Sequence, residues 1–263
     1  MQRNDLTTIP VPAPSWGTGA ARLLLAFACA AGLRAQTLVQ TATPTPATGA
    51  TLSQTISFST LPTVGNTVVV ATIISNDAAN LTAADNQSPK SNSYSLVNAA
   101  PPGSVGIQAS IFCTSVLTSS GTFTITATNH GSSAFITMFA SEYSGASCNP
   151  DQGAGISGQP SSPYACGTMT TRNAKDVLVS VIDWDGSGTQ TFSISGGFTI
   201  EGQVNNGTTS QAGAYADQIV SSTGSFNPAW TVSANGTASC VNIALQAASG
   251  GGSGGPHAYP IIQ

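Results

Sequence analysis

Apolar and polar positions alternate in short runs along most of this chain. Residues 122–128 place Phe123, Ile125 and Ala127 on one side and threonines on the other. A period of two sends neighbouring side chains to opposite faces, so this run predicts a strand with one buried and one solvated face. Val241, Ile243 and Leu245 alternate in the same way with Asn242, Ala244 and Gln246. Residues 68–74, 177–182 and 134–140 are apolar on both faces, which predicts central strands covered on both sides. Turn clusters such as Pro101-Pro102-Gly103, Ser119-Ser120-Gly121 and Ser221-Ser222-Thr223-Gly224 punctuate these runs. Beyond one early apolar run, no stretch keeps a helical period. The expectation is an all-β chain, an antiparallel sandwich of about a dozen strands.

The second half echoes the first. Gln108-Ala109 leads to Gly121-Thr122-Phe123, and Gln211-Ala212 leads over a similar distance to Gly224-Ser225-Phe226. Thr67-Val68-Val69-Val70 answers Asp176-Val177-Leu178-Val179, and Ser93-Tyr94-Ser95-Leu96 answers Gly197-Phe198-Thr199-Ile200. Self-similarity at a fixed offset predicts duplicated units, here about residues 51–147 and 166–248. Two arrangements fit: one large sandwich with internal duplication, or two tandem immunoglobulin-like domains. Residues 145–167 read as a stapled loop with two cysteines rather than a plain tether, which favours one sandwich over residues 50–248.

The early apolar run, residues 23–32, follows Arg22 and ends in Leu33-Arg34-Ala35. A cation, a short apolar segment and a small residue at the cut describe a secretory signal peptide over residues 1–35. The run is too short to span a bilayer, so no transmembrane segment is expected after cleavage. Residues 36–49 form a Pro/Thr-rich lead-in, and residues 249–263 a Gly/Ser linker and tail. What remains after cleavage has three cations, Lys90, Arg172 and Lys175, against nine acids, a net charge of −6. With no basic cluster, nucleic acid and anionic membrane surfaces are excluded as partners.

An even number of cysteines, Cys113, Cys148, Cys166 and Cys240, predicts two disulfides in an exported chain, with three connectivities open. Cys148 and Cys166 bracket one loop and are the favoured pair, leaving Cys113 with Cys240. The best local candidate for chemistry is Asp183-Trp184-Asp185-Gly186-Ser187-Gly188. Alternating carboxylates before a glycine turn resemble the start of a calcium loop, so Asp183 and Asp185 are candidate calcium ligands, although no further carboxylates follow. No other cofactor is expected. Trp184 offers an apolar face beside hydrogen-bonding acids, a combination suited to stacking on a sugar ring, or else it belongs to the core. Glu142 ends a strand apolar on both faces and would pair with Asp183 or Asp185 in a polysaccharide-acting hydrolase or lyase. With only His130 and His257 after the leader, no nucleophile triad is expected.

Gly65-Asn66-Thr67-Val68-Val69-Val70, Asp85-Asn86-Gln87, Ser93-Tyr94-Ser95-Leu96 and Ser141-Glu142-Tyr143-Ser144-Gly145 together resemble a group of exported bacterial β-sandwich domains. The resemblance implies a jelly-roll-like or immunoglobulin-like sandwich and transfers no catalytic residue. The functional expectation is a secreted, non-catalytic cell-surface or matrix module, glycan-binding or adhesive. The alternatives are a structural subunit that self-associates by adding its C-terminal tail as a strand, and the polysaccharide-acting enzyme above.

Overall fold

Val69, Ala71 and Ile73 point one way from their strand and Val68, Val70 and Ile74 the other, and all six are buried. A strand so built needs cover on both faces, and the whole fold follows from meeting that need six times over. The computed structural model describes residues 35–75, 80–88, 91–101, 106–186, 188–205 and 211–249. The rest of the leader, Cys29, Lys90, Ser187, Asn206 and the tail from residue 250 lie outside the described residues.

The first half supplies β1 (Thr37–Thr41), β2 (Ser53–Ser57), β3 (Thr67–Ser75), β4 (Leu81–Asp85), β5 (Ser95–Ala99), β6 (Ile107–Ser115), β7 (Thr124–Asn129) and β8 (Phe135–Ser144). The second begins with β9 (Ala146–Gln159), β10 (Tyr164–Ala165), β11 (Met169–Thr170), β12 (Val177–Gly186) and β13 (Phe192–Ile194). It ends with β14 (Thr199–Asn205), β15 (Gln211–Ile219), β16 (Ser225–Phe226), β17 (Ala229–Val232) and β18 (Gly236–Ala247). No helix occurs among the described residues, so none there is long and apolar enough to cross a membrane.

Each half wraps in the same order. A five-stranded sheet β1-β8-β3-β6-β5 lies over the three-stranded sheet β2-β7-β4. Pairing 1 with 8, 2 with 7 and 3 with 6 while the chain alternates between sheets is the jelly-roll pattern. The second half repeats it as β9-β18-β12-β15-β14 over β10-β17-β13, with β11-β16 as an added pair. All named pairings are antiparallel.

The two rolls then stack through their large sheets. Three apolar layers result where the sequence suggested one shared interior. The middle layer joins Val69, Ile73, Ile111 and Phe139 of the first roll to Val179, Val181, Tyr215 and Ile243 of the second. Phe58, Phe112, Phe123 and Met138 fill the first roll's own interior, and Leu178, Ile182, Trp184 and Trp230 fill that of the second. The two halves thus share one strand order, and each closes its own sandwich before sharing a third layer.

Two expectations are corrected. Residues 145–167 are largely strand: β9 forms the edge of the second large sheet, pairing with β18. Its glycines are used for close approach, because a Cβ on Gly155 would lie 3.1 Å from Ala100 Cα and one on Gly153 2.7 Å from Asn98 Nδ2. The disulfides are Cys113–Cys148 and Cys166–Cys240, not Cys148–Cys166 and Cys113–Cys240. Alternation gives the reason. Cys240 sits in the second roll's own interior while its neighbour Val241 faces the middle layer, where Cys113 lies. One face of a sheet cannot reach the other. The bond from Cys113 on β6 to Cys148 on β9 thus fastens roll to roll, and Asn98 Nδ2 reinforces it by donating to Asn242 O (2.7 Å) and Ala154 O (3.2 Å).

Candidate functional site

β12 continues two-sidedly paired through Asp183, Trp184 and Asp185 to Gly186, so the segment expected to leave the strand as a turn belongs to the sheet. Within a strand, Trp184 points opposite to its acidic neighbours. The indole enters the second roll's interior with no exposed surface, and its Nε1 donates to Tyr164 Oη at 3.3 Å. Stacking on an external sugar ring is thereby ruled out for Trp184. The core alternative holds.

Asp183 points into the middle layer and is fully buried. It stands directly opposite Ser239 on β18 and Gly213 on β15. Neither of its oxygens, nor Ser239 Oγ or Gln211 Nε2, has a hydrogen bond of normal geometry. The backbone amides of Gln108 and Ile74 and the Gln211 side chain face the carboxyl from around it. Burial, and then the charge of Asp185, push the Asp183 carboxyl well above the usual carboxylate range against those donors. Burial raises Asp185 too. A calcium loop wraps its ligands around an ion. Asp183 and Asp185 instead share one face of a flat ladder, two residues and about 6–7 Å apart, so the expected loop geometry is not present.

Glu142 lies on the other side of the first large sheet. Its Oε1 accepts from Thr63 N (2.7 Å) and Asn66 Nδ2 (2.6 Å), and its Oε2 from Gln40 Nε2 (2.7 Å). Three donors on one buried carboxylate make it a fixed strut for the 60–66 turn. It pairs beside Val68, whereas Asp183 lies near Ile74, six residues further along β3 and across the sheet. That spacing is about 20 Å, beyond what a glycosidase pair tolerates. The carboxylate pair proposed from the sequence is not assembled.

Two polar groups escaped the sequence reading. Tyr143 donates to Asp217 Oδ2 (2.7 Å) and shares a hydrogen bond with Tyr215 Oη (2.7 Å), all inside the middle layer. Burial pushes Asp217 up to about 6, with the Tyr143 hydroxyl lowering it and Glu201 raising it. Burial likewise raises both tyrosines. This network ties β8 to β15. The other group is Asp151 beside Asp176, where burial and the neighbouring Asp151 push Asp176 up to about 7. Sequence proximity does not pair them, since twenty-four residues, with the whole of β10 and β11, lie between them.

The outermost surface of the first roll is the exposed face of β2-β7-β4. Ser53 pairs with Thr128, Thr55 with Thr126 and Ser57 with Thr124, and Thr82 flanks Thr128 on the other side. Their neighbours along the strands, Ile56, Ile125 and Ala127, turn inward and are buried. The result is a flat ladder of hydroxyls and methyls, with Ser57 Oγ and Thr124 Oγ1 2.8 Å apart. On the second roll Ser193 pairs with Thr231 in the same sense, both exposed.

No family model, no curated protein and no solved structure matches this chain.

Proposed function

We propose that the chain is an exported, non-catalytic module of a bacterial cell surface or matrix that works by contact, through the uncharged hydroxyl faces of its outer sheets. The observation that carries this reading is the Ser53/Thr55/Ser57–Thr124/Thr126/Thr128 ladder with Thr82 beside it. Such a face offers hydrogen bonds in both directions and attracts neither acids nor bases, which suits a neutral polysaccharide surface. Two disulfides fit an oxidising compartment. The buried acids serve packing: Glu142 is a strut, and Asp217 a bridge between rolls.

The test is binding of the purified chain to a glycan array and to insoluble cell-wall polysaccharide. Thr126→Glu and Thr55→Lys place charge on the face without touching the core. Binding that falls at least tenfold in both variants, with unchanged melting, supports the reading. Binding to none of these surfaces removes the glycan partner, and binding indifferent to both substitutions removes the face.

A further inference from the structure

The two disulfides differ in what surrounds them. Cys166 and Cys240 have no exposed surface and lie inside the second roll's own interior, with Leu178, Ile182 and Trp184. Cys113 is equally enclosed, within the middle layer. Of the four, Cys148 alone is half-buried. It lies on β9, the last strand of its sheet, which pairs on one side only. There Leu245 faces Pro150 and Ala247 faces Ala146, so Ser147, Cys148 and Asn149 together stand opposite Gln246 alone. Such a bulge re-aims side chains out of their ladder. Gln246 pins both shoulders of it: Ser147 Oγ donates to Gln246 O (3.2 Å), and Asn149 Nδ2 to Gln246 Oε1 (3.1 Å). Cys148, between them, is left at the open edge of the joint.

Thiol–disulfide exchange requires a thiolate to reach one sulfur, and its rate depends on access and on which sulfur is attacked. Packed side chains shield three of the four sulfurs here. The fourth belongs to the bond that fastens roll to roll, whereas the fully shielded bond, Cys166–Cys240, lies within the second roll. Burial therefore sorts the two bonds by task. The one inside a roll is closed to reagents, and the one between rolls is open to them.

We propose that Cys148 is a thiol-exchange site at which a dithiol opens Cys113–Cys148 while Cys166–Cys240 stays closed. The first thiolate attacks Cys148 Sγ and forms a mixed disulfide there. The electron pair of the broken S–S bond goes to Cys113 Sγ, which takes up a proton because its apolar surroundings disfavour a thiolate. The dithiol's second thiolate then attacks its own sulfur in the mixed disulfide, closing the dithiol into a disulfide and releasing the Cys148 thiolate. The dithiol is oxidised and the protein bond reduced by the same electron pair. Opening leaves the rolls packed through the middle layer without a covalent tie, so the chain becomes easier to unfold. The site is independent of what the outer hydroxyl faces bind.

The test treats the full, folded chain with dithiothreitol, quenches samples with acid and labels free thiols with N-ethylmaleimide in guanidinium before peptide mapping. Cys113 and Cys148 are expected to gain label together, at least about tenfold faster than Cys166 and Cys240. Glutathione, a monothiol, should leave its mass on Cys148 and none on Cys113. Chain opened at that bond alone should unfold at a lower guanidinium concentration than the oxidised chain, as should the Cys113→Ala, Cys148→Ala double variant. The proposal is overturned by equal labelling rates for the two pairs, by earlier labelling of Cys166 and Cys240, by no labelling of the folded chain, or by glutathione on Cys113. An unchanged midpoint after selective opening would also overturn it, since the bond would then fasten nothing.

Discussion

Gly186 and Gly236 lack side chains because the Trp184 indole needs their space. A Cβ on Gly186 would sit 2.2 Å from the ring, and one on Gly236 2.5 Å from both the ring and Asp185 O. Gly236→Ala is therefore expected to cost about 1–3 kcal/mol through overpacking, and Trp184→Ala about 3–5 kcal/mol through the cavity it leaves. Urea unfolding of each variant checks both, and an unchanged midpoint in Trp184→Ala would refute its burial. Asp183, Asp176 and Asp217, all with raised carboxyl pKa values, shape the pH response. A buried acid with a raised folded pKa holds its proton more tightly when folded, so its contribution is full below the unfolded value of about 3.9 and is lost as pH climbs. For Asp217 the loss runs from roughly pH 4 to about 6, and Asp183 carries the decline higher. Asp183→Asn keeps the shape and removes the buried charge. It should raise stability at pH 8 by about 1–3 kcal/mol and flatten the pH profile; lower stability at pH 8 would contradict this account. Trp184 also shows what the sequence could not decide, since an acid–Trp–acid run reads equally as a turn or as a strand with alternating faces. Its pairing partners Ala212 and Ala238, 28 and 54 residues further along the chain, are needed to choose.

At the level of elements, alternation was the legible signal and register the illegible one. The Thr-x-Thr pattern of β7 foretold its solvated face, and the two-sided apolar runs foretold β3, β8 and β12. The echo of Gln108-Ala109 in Gln211-Ala212 is one residue out of step with the side-chain faces, because Ala109 packs in the middle layer and Ala212 in the second roll's interior. Hydrogen-bond register gives the true equivalence: Thr67 pairs with Tyr143 and Ser115 as Val177 pairs with Leu245 and Ile219. A one-residue slip exchanges faces, and it is the face, not the loop that Cys148 and Cys166 bracket, that decides which cysteines meet. β9 was masked for a related reason: its glycines resemble a loop, while their purpose is the close approach of Asn98 and Ala100. Non-reducing peptide mapping should find Cys113 linked to Cys148 and Cys166 to Cys240. In the chain-entropy account each bond contributes about 4 kcal/mol, and a Cys148–Cys166 peptide would contradict the fold.

At the scale of the molecule, two rolls that could each close alone are joined by a third apolar layer, a disulfide and the Tyr143–Tyr215–Asp217 bridge. The account makes them one cooperative body, a rigid mount for the hydroxyl faces. Both described tryptophans, Trp184 and Trp230, lie in the second roll, and Trp16 lies in the leader. In the chain from residue 36 onward, tryptophan fluorescence therefore reports the second roll alone, while far-ultraviolet circular dichroism reports both. Guanidinium unfolding followed by the two signals is the most direct measurement. Superimposable single transitions are predicted; a dichroism step at a denaturant concentration where fluorescence does not change would show two independent domains and refute the shared layer.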